Sequence, residues 1–426
     1  MGKCISLGEY NKQYKYIWIY LGLRFVYVFI FLNQLMFDQW KTKVLELPNG
    51  PFISSQLFYL LDIIIPIILI IINKFRKKKE SNNKQTEEIL IYNPKNIITE
   101  FGVERKDYFL FINLFLVVAI KDLFDETTEK FGFQPLSYWM FEMLYYELFH
   151  SRYFKTKIYR HHLCSIIFIL SSCFILKTIY IILYVTQDTN AKNIFRGRMW
   201  IIPILIIIFF IYRVSRVFIM CNEKYYLEKK SIDLLRYIIL YGIYGFVITS
   251  IGAIISSNIP CGDDTIPELS KKVCNYVENN QTYYFDSYKI YFTTLYNDQY
   301  FSSKVILLII KSILYFSCTY SIYAIYQKLS PIYYICMQRF DYLVIIVLYF
   351  INQLVNDKIE GINITLNIIN LFISIFYIFG SIVYLEFIEL NFCNLNFYIR
   401  RNIQDRSDKE FIIALDDISV NSDINN

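Results

Sequence analysis

The chain has 426 residues, of which 55% are hydrophobic and only 19% are charged, and its formal net charge at pH 7 is +6. Together with a mean hydropathy of +0.36, this composition leaves too little polar surface for a water-soluble protein of this length, and it excludes a large domain outside a membrane. The composition therefore predicts an integral membrane protein.

Ten mainly apolar stretches follow one another along the chain. A bilayer core about 30 Å thick requires about 20 helical residues to cross it. The predicted helices cover residues 16–37, 52–73, 107–124, 133–152, 159–184, 199–220, 232–256, 304–326, 331–354 and 364–390. We therefore expect an all-α polytopic membrane protein with about ten transmembrane helices. The first apolar run lacks a small-residue cleavage site after it, which favours a retained helix over a signal peptide.

Basic residues follow the second, fourth, sixth and tenth predicted helices, which all end on one side of the membrane. They include Lys74, Arg76, Lys77, Lys78, Lys79, Arg152, Lys155, Lys157, Arg160, Lys224, Lys229, Lys230, Arg400 and Arg401. Cytoplasmic loops carry an excess of Lys and Arg. Both termini are therefore predicted to be cytoplasmic, with an even number of spans.

The predicted helices divide into two sets of five. Residues 16–184 form the first half and residues 199–390 the second, joined by a linker at 185–198. Because five is odd, two copies of such a unit insert with opposite orientations, as in inverted-repeat transporters that bind cargo at the interface of the halves. Segment 1–15 is predicted to be a cytoplasmic N-terminus, and the polar tail 391–426 is predicted to be cytoplasmic and disordered. The repeat is predicted from the helix count and the loop charges alone, because the halves show no residue-by-residue match.

The longest loop, residues 257–303, falls on the non-cytoplasmic side and carries three candidate modification sites. Cys261 and Cys274 are disulfide candidates, and Asn280 begins an Asn-Gln-Thr glycosylation sequon. Both modifications require the lumenal or extracellular compartment, which agrees with the predicted orientation. At the other end of the chain, Gly2 and Cys4 are candidates for myristoylation and palmitoylation.

Charged residues near the middle of predicted spans are the candidate cargo-binding groups, because burying a charge at the bilayer centre costs at least about 2.5–3.5 kcal/mol. They are Arg24, Asp62, Glu142, Arg339 and Asp341, with Lys311 in the outer third of its helix as a further candidate. Pairing of these ions with one another is an equally good interpretation. Six other charges lie within about two turns of the cytoplasmic face and are predicted to reach water by extending along the helix: Arg213, Arg216, Arg236, Glu147, Glu386 and Glu389.

Small residues cluster on the seventh predicted helix, among them Gly242, Gly245 and Gly252. Small side chains allow two membrane helices to approach closely. The stripe therefore predicts a tight helix–helix contact.

Two junctions invite a family comparison. Residues 148–162, followed by an aliphatic span, resemble the junction of the fourth and fifth helices of drug/metabolite transporters; residues 223–230, leading to Gly242 and Gly245, resemble the junction of the sixth and seventh. The resemblance implies a ten-helix carrier with cytoplasmic ends, as in EamA-like exporters and nucleotide-sugar transporters. The chain departs from that pattern in its long loop between helices seven and eight and in its few small residues in the first half. No cargo motif is recognisable.

The sequence thus favours a secondary transporter that moves a small polar metabolite by alternating access in the endomembrane system or plasma membrane. The alternatives are a membrane lipid-modifying enzyme of acyltransferase type, in which His161 and His162 serve as acid and base, and a non-transporting scaffold or receptor. The three histidines and scattered cysteines lack metal-ligand spacing. We expect no catalytic residues, cofactor, metal or nucleic-acid partner. The expected partners are the bilayer and an unidentified cargo. The sequence is also compatible with a homodimer.

Overall fold

The computed structural model describes residues 7–27, 51–83, 108–124, 136–154, 158–187, 199–257, 276–278, 281–283, 292, 295–355 and 361–385. In this part of the chain, ten α-helices follow one another, each overlapping one of the predicted spans. They are α1 (Leu7–Tyr27), α2 (Pro51–Asn83), α3 (Tyr108–Leu116), α4 (Glu142–Phe154), α5 (Arg160–Gln187), α6 (Ile201–Lys224), α7 (Leu234–Ser257), α8 (Phe301–Lys328), α9 (Pro331–Val355) and α10 (Gly361–Tyr384).

Six helical segments within the described residues are long and apolar enough to cross a bilayer: Ser55–Arg76, Arg160–Thr186, Ile201–Lys229, Leu234–Ile255, Phe301–Lys328 and Ile364–Tyr384. Many of their large apolar side chains face outwards, as lipid-exposed residues do; Ile175 and Ile254, for example, are more than half exposed. The protein is therefore a helical integral membrane protein.

The third and fourth predicted spans differ most from regular membrane helices. α3 continues into a π-helical segment, Val117–Leu123, and α4 is preceded by a short 3₁₀ turn, Trp139–Phe141. With 13 residues, α4 rises only about 20 Å, less than the bilayer core. π-helical segments frequently occur at functional sites, and this one carries Lys121.

The ends of several helices also differ from prediction. α1 begins at Leu7 instead of residue 16, and α2 continues to Asn83 instead of ending at residue 73. α9 begins at Pro331 as predicted, where the missing N–H of proline costs no hydrogen bond. A short ribbon that the sequence did not predict lies in the segment between α7 and α8, where β1 (Tyr276–Glu278) pairs antiparallel with β2 (Gln281–Tyr283). The residues Gly2, Cys4, Cys261, Cys274 and Asn280 lie outside the described residues.

The most extensive helix contacts join α2 to α7 and α5 to α10, so that each pair takes one helix from each predicted half. Between these two pairs, α1 packs against α8 and α9, while α6 packs against α3 and α4. On the α5–α10 side, the Ser165 hydroxyl donates a 2.5 Å hydrogen bond to the carbonyl oxygen of Gly380. The predicted halves are therefore interleaved along one common core.

Small residues of α7 allow its close approach to α2, as the sequence predicted. A Cβ atom at Gly245 would lie 2.2 Å from Cδ1 of Tyr59, and one at Gly242 would lie 2.9 Å from the Tyr59 carbonyl oxygen. The Tyr59 ring is itself held edge-on against Tyr241, with centroids 5.3 Å apart. The ring therefore has little freedom to move away.

We expect Gly245→Ala to destabilise the protein by about 1–3 kcal/mol, because the added methyl group overlaps the Tyr59 ring. Thermal unfolding of the purified protein in detergent measures the loss. Gly22→Ala is the matched control, since a Cβ there meets nothing within 4 Å and alanine is the better helix former. If the contact is the cause, Gly245→Ala should cost much less in a Tyr59→Ala background; an equal cost in both backgrounds would contradict this explanation.

Candidate functional site

A cavity of about 200 Å³ lies between the helices that belong to the two predicted halves. α1 and the π-helical segment after α3 contribute from the first half, and α6, α7, α8 and α9 contribute from the second. Its lining consists of Tyr20, Arg24, Lys121, Arg216, Tyr241, Tyr315, Cys318, Thr319, Ile322, Tyr323, Tyr334 and Gln338. The cavity is thus polar and aromatic, and it is surrounded by apolar helices.

Three cations line this cavity: Arg24, Lys121 and Arg216. No carboxylate is found among the described residues that line it. Two buried carboxylates pair with two of these cations: Glu142, 1% exposed, lies 3.3 Å from Arg216, and Glu223, 0% exposed, lies 3.7 Å from Lys121. Charged groups of both signs therefore meet at and behind this part of the lining.

Glu142 organises the part of the site between α4 and α6. Its Oε1 accepts a 2.6 Å bond from Nη1 of Arg213 and a 3.3 Å bond from Nη1 of Arg216. Nε of Arg213 donates to Oγ of Ser137 at 2.9 Å, and Nη2 of Arg216 donates to Oε1 of Gln338 at 3.4 Å. One carboxylate is therefore shared by two guanidinium groups, and the network connects α4, α6 and α9.

Lys121 lies on the π-helical segment after α3 and pairs with a carboxylate of α6. Its Nζ lies 3.7 Å from Oε1 of the fully buried Glu223 and 5.5 Å from the centroid of the Tyr323 ring. The ring of Tyr323 packs edge-on against Tyr237, Tyr241 and Tyr326, with centroids 5.1–5.9 Å apart. A carboxylate and an aromatic face together hold the ammonium group at the cavity wall.

The structure separates the predicted site residues. Arg24 lines the cavity, and Glu142 supports it from behind. Asp62 is fully buried where α2 meets α7, and Nζ of Lys311 lies 5.5 Å from the ring of Phe58; both lie outside the cavity lining. The side chains of Arg339 and Asp341 lie outside the described residues.

The prediction that Arg213, Arg216 and Glu147 extend to water is wrong. Their side chains are 8%, 3% and 5% exposed and lie inside the bundle in hydrogen-bonded ion pairs. Their positions near the predicted cytoplasmic ends of the helices suggested that these side chains reach water. The face of the helix on which a long side chain lies determines whether it meets water or protein. Lys121 was also missed, because it falls near the end of its predicted helix.

The histidine pair that raised the enzyme alternative belongs to a second polar cluster at the start of α5 and the end of α10. Nδ1 of His162 lies 2.8 Å from Oε1 of Glu147, and the hydroxyl of Tyr384 donates to the same oxygen at 2.5 Å. The His162 ring stacks on Tyr384 with centroids 4.3 Å apart, and the buried His161 packs against His162. These contacts tie α4, α5 and α10 together.

We expect Tyr384→Phe to cost about 1.5–3 kcal/mol of stability, because a hydrogen bond to a buried carboxylate is lost while the ring contact remains. Tyr225→Phe, at a half-exposed position, is the matched control and should change stability little. Thermal unfolding of the two variants compares them. Equal stability of Tyr384→Phe and the unsubstituted protein would show that the bond contributes nothing.

Among the described residues, no group of three or more His, Cys, Asp or Glu side chains is arranged to hold a metal ion. No protein-family model matches the chain. No curated protein is significantly similar to it.

Proposed function

We propose that this protein is a secondary carrier of the drug/metabolite-transporter type, which moves a small polar metabolite by alternating access through the central cavity. The observation that carries the proposal is the position of that cavity: a polar, cation-bearing space lined by helices from both predicted halves of a membrane protein. Ionisable groups inside a membrane bundle are costly and typically mark a cargo or ion pathway.

The pattern of helix contacts supports ten helices in a five-plus-five inverted repeat. Adding or subtracting five from each helix number converts some of the helix contacts, although not all of them, into contacts that are also present. The contact between α1 and α8 corresponds to the contact between α6 and α3. Likewise, the α1–α9 contact corresponds to the α6–α4 contact, and the α2–α8 contact corresponds to the α7–α3 contact. The two extensive pairs, α2 with α7 and α5 with α10, each correspond to themselves. A pseudo-two-fold axis through the cavity explains this correspondence.

A local sequence recurrence agrees with the same axis. α1 carries Tyr20 and Arg24 four residues apart, and its counterpart α6 carries Tyr212 and Arg216 at the same spacing. Both arginines line the cavity, although the hydroxyl of Tyr212 instead donates to the carbonyl oxygen of Lys121 at 3.4 Å. Equivalent helices of the two halves therefore each direct one arginine to the central cavity.

Uptake into liposomes tests the carrier function. The purified full-length protein is reconstituted, and uptake of radiolabelled phosphate, succinate, glutamate, choline and uridine is measured. Thr319→Trp places an indole in the cavity lining and should abolish uptake of any transported compound. Ile313→Trp, on the lipid-facing side of the same helix and 48% exposed, should preserve it. Uptake unaffected by Thr319→Trp would contradict passage through this cavity.

The enzyme alternative makes a different prediction for the second polar cluster. A carrier should retain cavity-dependent uptake when His161 and His162 are both replaced by glutamine, provided that the variant remains folded. A lipid-modifying enzyme would lose turnover of an acyl substrate under the same change.

A further inference from the structure

The second polar cluster joins the two predicted halves at the end of the bundle where α5 begins and α10 ends. Oε1 of Glu147 on α4 accepts the Tyr384 hydroxyl of α10 at 2.5 Å and lies 2.8 Å from Nδ1 of His162 on α5. The preceding residue of α4, Tyr146, shares a hydrogen bond with the hydroxyl of Ser330, just before α9. Two adjacent residues of α4 are therefore both bound to the second half.

We propose that Glu147, His162 and Tyr384 form a proton-operated latch, in which His162 binds a proton from the adjoining water and thereby holds α10 more firmly against α4 and α5. With the proton, His162 is a cation beside the Glu147 carboxylate, and their contact is charge-assisted. Without the proton, the imidazole is neutral and this contact is weaker, while the hydrogen bond from Tyr384 persists. Imidazole is the side chain whose charge ordinarily changes between about pH 5 and 8, which suits it to this role.

His162 is the histidine of this chain whose position suits the exchange of a proton with water. Its Nδ1 is in contact with a carboxylate while its side chain remains 19% exposed. The neighbouring His161 is only 3% exposed. His150 is stacked on two aromatic rings and faces the ammonium group of Lys224, whose charge opposes a second cation there. The proton is therefore assigned to His162.

Other titratable and charged groups surround the pair of Glu147 and His162. The described groups that face one or both of them are Tyr146 and His150 on α4, Tyr159 and His161 at the start of α5, and Tyr384 on α10. Further out, Cys336 faces Tyr384, and Lys224 and Glu228 face His150. Tyrosine and cysteine side chains ordinarily titrate above about pH 8. The two other histidines are therefore the neighbours whose titration must be separated from that of His162 by variants.

On the premise that the proposed carrier function holds, the latch regulates how readily the two halves move apart at this end. α4 and α5 belong to the first predicted half and α10 to the second, so a charge pair among them resists their separation. Three residues further along α5, the bond from Ser165 to the carbonyl oxygen of Gly380 joins α5 to α10 without any group that titrates in this pH range. Protonation of His162 adds to that constant contact, and acidic conditions at this end should therefore slow transport.

Replacement of His162 tests the proton site without any transport measurement. The full-length protein and His162→Gln are purified in detergent, and their unfolding temperatures are compared at about pH 5.5 and about pH 8, on either side of the usual histidine range. A proton that the folded protein binds more tightly than the unfolded chain stabilises the fold at low pH, and this contribution disappears as the pH rises. We expect His162→Gln to lower the unfolding temperature at least about twice as much at the lower pH. An equal loss at both pH values, or a greater loss at the higher pH, would overturn the latch.

Three further variants assign the partner and the histidine. In a Glu147→Gln background, His162→Gln should have nearly the same effect at both pH values, because the carboxylate is absent. Glu147→Asp, which retracts the carboxylate by one methylene group, replaces Glu147→Gln if that variant does not fold, and it should reduce the pH dependence. An undiminished pH dependence in these backgrounds would overturn the assignment. His150→Gln and His161→Gln are the matched controls, and each should change the unfolding temperature equally at both pH values; a pH-dependent loss in either, with none in His162→Gln, would also overturn it.

Liposome uptake tests the consequence for transport. Uptake of phosphate, succinate, glutamate, choline and uridine is measured with the same pH on both sides of the membrane, and the rate of His162→Gln is divided by that of the unsubstituted protein. For a transported compound, this ratio should be at least about threefold higher at about pH 5.5 than at about pH 8, because the variant lacks the charge-assisted contact that must break. A ratio independent of pH would contradict the latch while the carrier function stands. Uptake of none of these compounds, together with the expected unfolding results, would contradict the carrier function while the proton site stands.

Discussion

Glu142→Gln should destabilise the protein by about 3–5 kcal/mol, because it removes the carboxylate shared by Arg213 and Arg216 and leaves two buried cations without that counter-charge. Because glutamine has nearly the same shape as glutamate, the loss of stability measures the missing charge compensation more than a change in packing. The unfolding temperature of the purified protein in detergent and its recovery as a monodisperse peak measure the effect.

Two further variants test the explanation for Glu142. Glu228→Gln is the matched control: Glu228 pairs with Lys224 at 3.4 Å but is 42% exposed, and exposed pairs contribute only about 0–1 kcal/mol. Adding Arg213→Gln to Glu142→Gln removes one of the two cations that lost the Glu142 carboxylate and should recover part of the lost stability. The ion-pair network would have no structural importance if Glu142→Gln were as stable as the control.

Tyr323→Ala should cost about 3–5 kcal/mol and should also abolish cavity-dependent uptake. The ring is 2% exposed and packs edge-on against three other tyrosine rings, so its removal leaves a void in the core. It also lies beneath the ammonium group of Lys121, which would lose the aromatic face that holds it at the cavity wall. Thermal unfolding and liposome uptake measure the two effects separately.

Tyr323→Phe is the control for the ring itself, since it keeps the edge-on packing and the face beneath Lys121. We expect it to retain most of the stability and uptake. Ile313→Ala, at a lipid-facing position on the same helix, controls for general damage to α8. If Tyr323→Phe were as defective as Tyr323→Ala, the hydroxyl would matter more than the ring and this explanation would fail.

The sequence predicted the helical segments well because apolar length is a local property. Each of the ten predicted spans overlaps a described helix. The glycines of α7 correctly indicated a close helix contact, and the structure shows that its partner is α2. The interruptions were missed, since the π-helical segment at Val117–Leu123 and the late start of α4 depend on tertiary contacts. The ribbon of β1 and β2 is too short to leave a clear pattern.

The candidate site was only partly predictable. Predicted depth in the membrane drew attention to Arg24, which lines the cavity, and to Glu142, which pairs with Arg216 behind it. It gave the wrong environment for Arg216 and did not indicate Lys121. Depth does not specify which face of a helix meets its neighbours, and that face determines whether a charge is paired, lines a cavity or reaches water. The recurrence of Tyr-x-x-x-Arg in α1 and α6 was a usable signal, because the same spacing occurs in two helices that are related by the proposed repeat.

The central claim is that the cavity opens alternately to the two sides of the membrane, and the sidedness of Cys318 labelling tests it most directly. A membrane-impermeant maleimide is added to intact cells and, separately, to inverted vesicles that contain the full-length protein, and modified peptides are quantified. Cys336, which is fully buried in α9, controls for unfolding and should remain unmodified. We predict that Cys318 is modified from both sides. Modification of Cys318 from one side only, or from neither, would contradict alternating access through this cavity.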